Sequence, residues 1–201
     1  WGKVVSREDP MEVNTMRRVG FIAATVVACV SSAVYAQAWS EYINREEFFT
    51  VNFPGDPKVT EIPYKTAKGT NLKAKVFTAN APAGSITAGR YAMTVVDYSK
   101  APGEISTAVE EAANSYPAKG TVTYDQKEQV DRIRSQRQTV ETSKMTYLMT
   151  EILAHGTRLY IVEAETAMNV PPPAQFQASV QILDEKGERI RYEQDGKTRV
   201  K

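Results

Sequence analysis

Met145 to Glu165, MTYLMTEILAHGTRLYIVEAE, constrains the fold of this chain more than any other stretch. It reads as one β-hairpin turning on His155-Gly156, with Ala154 opposite Thr157, Leu153 opposite Arg158, Ile152 opposite Leu159 and Leu148 opposite Glu163. Period-two alternation puts Tyr147, Met149, Leu153, Tyr160, Val162 and Ala164 on one face, and Leu148, Ile152, Ala154, Leu159 and Ile161 on the other. Both faces are apolar, whereas a one-sided antiparallel sheet alternates apolar with polar, so the hairpin is expected at the centre of a sheet covered on both sides.

The flanking sequence supplies the rest of such a sheet. Glu47 to Phe53 alternates as a strand and stops at Pro54-Gly55-Asp56-Pro57, where proline and glycine favour a turn. Lys58 to Thr66 and Asn71 to Ala79 form a hairpin whose Lys73 and Lys75 give it one wet face and an edge position, and Arg90 to Tyr98 is a further strand. Ile105, Ala108, Val109, Ala112 and Tyr116 form a single helical stripe within Glu104 to Tyr116, ended by Pro117. Thr121 to Tyr124 and Arg137 to Glu141 suggest edge strands, with the polar Asp125 to Arg134 as a bend between them. After the stiff Pro171-Pro172-Pro173, Phe176, Val180 and Leu183 make a second helical stripe, and Arg189 to Tyr192 adds a short strand before a charged tail from Glu193. The expected fold class is α+β: an antiparallel sheet of about seven strands with amphipathic helices on both faces, an α/β/α sandwich.

The N-terminal stretch of the chain carries an address. Residues 1–15 are expected to be a non-native upstream extension, and residues 16–36 a signal peptide. Arg17-Arg18 precedes the apolar Val19 to Val30, and Val34-Tyr35-Ala36 places small residues at a cleavage site after Ala36. The apolar run is 12 residues, where a membrane span needs about 20. Val26-Val27-Ala28-Cys29 also resembles a lipobox, which would tether the protein to the membrane through Cys29. The expectation is a periplasmic or secreted domain spanning residues 37–201, with the lipoprotein as its alternative. Cleavage removes four of 25 basic and three of 24 acidic residues, leaving 21 of each, and a neutral chain speaks against a nucleic-acid footprint. Hydrophobic residues at 42% and charged residues at 24% exclude a disordered chain.

Candidate chemistry is sparse. His155, the only histidine, is expected to serve the turn, at a position that favours positive φ. Glu163 and Glu165 share one face of the hairpin and Glu151 lies on the other, so the three cannot converge on a cation, and a semi-buried Glu163 calls for a lysine or arginine partner. Arg132, Arg134 and Arg137 could grip a phosphate or carboxylate, although interleaved acids make a solvated edge strand the simpler reading. Trp39 and Tyr42 precede the first strand and must either pack back onto the domain or present an adhesive surface. No catalytic, metal or cofactor motif stands out.

FTVNFPGDPKVTE, the strand YAMTVVDYS followed by a helix, RLYIVEAE and PPPAQFQASVQILDE together resemble the PsbP-like fold group, named for an extrinsic subunit of photosystem II, and more closely its uncharacterised exported bacterial members. The resemblance covers roughly Phe48 to Tyr192 and implies an accessory or binding module without shared catalytic residues. The functional expectation is a monomeric, non-enzymatic envelope protein that binds a protein or cell-envelope partner through sheet edge or loops. Its alternative is a small-ligand or ion-binding module. Arg132, Arg134, Glu163, Trp39 and Tyr42 are the candidate contacts.

Overall fold

The computed structural model describes residues 1–2, 39–171, 174–193 and 197–200. The expected signal segment, its cleavage position and Cys29 lie outside the described residues. Among those described, no helix is long and apolar enough to cross a membrane.

Among the described residues, ten strands and two α-helices follow one another: β1 (Ser40–Asn44), β2 (Phe49–Phe53), β3 (Lys58–Lys65), β4 (Asn71–Ala81), β5 (Gly89–Asp97), α1 (Ile105–Ala113), β6 (Gly120–Val130), β7 (Ile133–Thr142), β8 (Thr146–His155), β9 (Arg158–Ala167), α2 (Ala174–Ala178) and β10 (Gln181–Ile182). Seven strands make one antiparallel sheet in the order β3-β4-β5-β9-β8-β7-β6, and β1-β2-β10 make a second sheet. The β8–β9 hairpin thus lies at the centre, as the two apolar faces require.

Its turn differs from the expected one. His155 pairs with Arg158, and the two loop residues are Gly156 and Thr157, with Gly156 at φ 59°. A glycine at positive φ in the first loop position, followed by a residue at negative φ, is the pattern of a II′ turn; His155 is therefore the last strand residue and needs no left-handed backbone. The pairing moves by two positions, so that Leu153 faces Tyr160 and Glu163 faces Thr150. Because the side-chain period is also two, both face assignments survive the shift.

The helices depart further from expectation. Covering one face is α1, whose Ala108, Ala112 and Ala113 pack with Tyr116 on Leu72, Val96, Ile152 and Leu159. It ends at Ala113: the Ser115 hydroxyl donates to the Ala112 carbonyl at 2.6 Å, and Tyr116–Lys119 tightens into a 3-10 turn with Pro117 in its first turn, where its missing N–H costs nothing. The opposite face is covered by the second sheet together with the five-residue α2, not by a helix alone. The stripe Phe176, Val180, Leu183 is divided between structures, since Ile182 pairs with Phe49 of β2 and the Ser179 hydroxyl accepts the Asn52 N–H at 3.0 Å. Phe49, Val51, Phe53 and Phe176 meet Tyr91, Met93, Tyr160 and Val162 in an aromatic-rich core.

Two further differences bear on the site. Asp125 to Arg134, expected as a bend, is strand on both sides of a two-residue loop, Asp131-Arg132, whose residues both have positive φ, the I′ pattern. Gly120 begins this hairpin because a Cβ there would collide with the Glu141 carbonyl. Arg189 to Tyr192 is no strand; Arg189 and Tyr192 make only isolated bridges, with Leu183 and Arg199.

Candidate functional site

Two clefts open at the turn end of the central hairpin, and Gly156 lines both. The one beside α1 has a volume of about 750 Å³. It exists because β6 and β7 run on past the helix. Ile105 and Val109 of α1, with Ala154 of β8, form its apolar wall; Lys127, Arg134 and Gln136 form the polar one. Alternation explains which residues of the hairpin face it. Gln136 pairs with Ile152 on the α1 face, and Arg134, two residues earlier, shares that face.

The charges around this cleft are unevenly matched. Lys127 Nζ lies 2.8 Å from Glu110 Oε1, linking hairpin to helix across the mouth and holding the Glu110 carboxyl below its ordinary range. The Gln136 amide donates to Asp125 Oδ1 at 2.7 Å, and Gln138 donates to Asp125 Oδ2 at 3.0 Å. Exposed Arg134 has no ion-pair partner among the described residues.

The second cleft, about 560 Å³, lies on the other side of the turn and is lined by Phe48, His155, Arg158, Tyr160, Ile190 and Arg199 among others. Both of its guanidinium groups are already engaged. Arg158 Nε is 3.1 Å from Glu47 Oε2, with its guanidinium 4.7 Å above the Phe48 ring, and Arg199 is 2.6 Å from Asp184 Oδ2. His155 Nε2 is 2.9 Å from the Tyr192 hydroxyl, and burial, followed by the nearby Arg199 charge, lowers the His155 pKa from its ordinary value.

The structure separates the expected contacts rather than gathering them. Arg132 sits in the hairpin loop, Arg134 lines the first cleft, and Arg137 points to the opposite face, where its Nε lies 2.6 Å from Glu151 Oε2 and its Nη1 3.1 Å from Glu128 Oε2. Glu163 has the cationic partner its position demands: its Oε1 is 3.1 Å from Lys119 Nζ and accepts the Tyr116 hydroxyl at 2.9 Å. That hydroxyl is buried beside the carboxylate, which pushes its pKa up. Trp39 packs edge-on against Tyr91, with ring centroids 4.8 Å apart, and Tyr42 meets Phe49, Phe53 and Phe77. Of the two alternatives for these aromatics, they take the one that closes the core.

Ile105, Val109, Lys127 and Gln136 were not singled out by the sequence as cleft residues. For Gln136 a signal was present, since extending the alternation of Arg137 to Glu141 backwards places Arg134 and Gln136 on one face. Among the described residues, no group of three or more His, Cys, Asp or Glu side chains could hold a metal ion. Comparison with protein-family models and with curated proteins finds no match to this chain.

Proposed function

We propose that this chain is an exported, non-enzymatic binding module of PsbP-like arrangement, and that the cleft between α1 and the β6–β7 hairpin receives a small organic anion with an apolar body. The observation that carries this reading is the pairing of an unmatched guanidinium, Arg134, with the apolar wall of Ile105, Val109 and Ala154 in one cleft of about 750 Å³. A carboxylate or phosphate meets the planar fork of arginine in two parallel hydrogen bonds, and the apolar wall supplies burial for the rest of the ligand. The aromatics that could have formed an adhesive surface are spent on the core, which brings the small-ligand reading ahead of the partner-binding one. His155 meets a tyrosine hydroxyl instead of a serine or a carboxylate, which supports a role in binding over nucleophilic catalysis. Export rests on Arg17-Arg18 and the apolar Val19 to Val30, with periplasmic release or a lipid on Cys29 as the two ways it would end.

Strand addition at β3 is the second reading, because β3 is the edge of the large sheet and is exposed along almost its whole length. Lys58, Glu61, Pro63 and Lys65 are residues that protect an edge from pairing, so this reading is the weaker.

Titrating the labelled protein with octanoate, octyl phosphate and octanol tests the proposal. Amide and methyl shifts at Val109, Arg134 and Ala154 are expected with both anions and much less with the alcohol, and Arg134→Ala should weaken anion binding by about tenfold or more, the worth of one charge-assisted hydrogen bond. Equal response to the alcohol, or shifts that map to β3, would overturn it.

A further inference from the structure

On the second-sheet face of the large sheet, several buried polar atoms have no partner among the described residues. Glu151 of β8 is 0% exposed, and although its Oε2 accepts from Arg137 Nε at 2.6 Å, its Oε1 has no partner. Arg137 also serves Glu128 at 3.1 Å, so that one guanidinium stands between two carboxylates and the ionised group has a net charge of −1. Ser135 pairs with Leu153, two residues along from the Arg137–Glu151 pair, so its side chain shares the face of Glu151 and lies diagonal to it. It is 4% exposed, and its hydroxyl has no partner. From the same side α2 packs against β8 and β9 and carries Gln177, 1% exposed, neither of whose amide atoms is partnered.

A buried carboxylate oxygen left unpaired loses its hydration with nothing in return, and native interiors answer such atoms with protein groups or ordered water. Carboxylate oxygens only accept. We infer that a small hydrogen-bond donor is lodged between β7 and β8 beneath α2, donating to Glu151 Oε1 and held on its other side by Ser135 Oγ. Complete burial of Glu151 calls for a small guest. Water and the ammonium ion share that chemistry; the net negative charge favours the ion, and ordinary solvent favours water. Glu151 lies on the face opposite Arg134 and Gln136, whereas Ser135 also borders the anion cleft.

Water-selective nuclear Overhauser spectroscopy on the labelled full chain tests the inference, with ammonium chloride titrated against sodium chloride at equal ionic strength. Long-lived water cross-peaks to the Ser135 β and Glu151 γ protons, unmoved by ammonium, would identify water; saturable shifts at the same protons with ammonium and not sodium would identify the ion. Absence of both responses would overturn the site. Ser135→Ala, a small change expected to fold, should speed exchange of the guest at least tenfold, and an unchanged exchange rate would overturn the assignment of Ser135 as its second support. Glu151→Gln should abolish the cross-peaks, and their persistence at full strength would overturn the assignment to Glu151.

Discussion

Both faces of the seven-stranded sheet are buried, but by unequal means. On one side a single helix of nine residues lies over a sheet seven strands wide. A helix is about 10 Å across and seven strands at about 4.8 Å spacing extend over roughly 29 Å, so one helix cannot cover the sheet. The flank beyond the helix is where buried Gln136 and Gln138 share the Asp125 carboxylate and where the anion cleft opens. On the other side a three-stranded sheet and α2 spread over the apolar strands, and aromatic rings interlock: Phe176 lies 5.1 Å from Tyr91 and 5.4 Å from Phe53. Cover by a second sheet closes a core; cover by one helix leaves a margin where polar side chains and a ligand can reside.

The comparison can be broken by truncation. The largest loss is expected for Phe176→Ala, which removes the ring at the junction of α2, β2 and β5; about 3–5 kcal/mol should vanish in chemical denaturation. A loss near the few tenths typical of surface sites would mean that α2 is not part of the core's closure. Next come neighbours that point to opposite faces, Ile161 towards α1 and Val162 towards the second sheet. Ile161→Ala should cost about 2–5 kcal/mol and Val162→Ala somewhat less, in proportion to the methyl groups removed. If Ile161→Ala costs almost nothing while Val162→Ala is expensive, the helix does not seal its face.

The smallest effect sharpens the comparison from the side of pH. His155 belongs to the second-sheet side, hydrogen-bonded to Tyr192, and its folded pKa is lowered chiefly by burial. The folded state therefore binds its proton less readily than the unfolded chain, in which the pKa is near 6.5. The stability conferred by the neutral ring is fully present above about pH 6.5 and is lost as pH falls through the folded value. Urea midpoints measured from pH 8 to 5 should fall more for the wild type than for His155→Gln; parallel curves would mean that the histidine does not titrate differently in the two states.

How far the site was legible follows from particular residues. The cationic partner of Glu163 was foreseen from its semi-buried place on a central strand, and Lys119 fills that role from a turn beyond α1. The basic run Arg132, Arg134, Arg137 is visible in the sequence, but the polarity of Asp125 to Arg134 obscures its division by suggesting a bend. Polarity there reflects a hairpin that overhangs the helix and meets solvent, not a break in the strand. Hydropathy reports how much cover a segment has, and an overhanging strand has little.

The sequence by itself determined which residues of the central hairpin face which layer, because alternation is a local property of extended backbone and survives a two-residue change of pairing. It determined that both faces had to be covered, since exposing either would leave a broad apolar surface in water. What covers them was decided only by tertiary structure. Phe176, Val180 and Leu183 satisfy a helical period, yet backbone pairing of Ile182 with Phe49 captures the second half of that stripe as a strand. The cleft was decided in the same way, because it depends on where a short helix ends relative to two strands distant from it in the chain, and no local pattern encodes that distance.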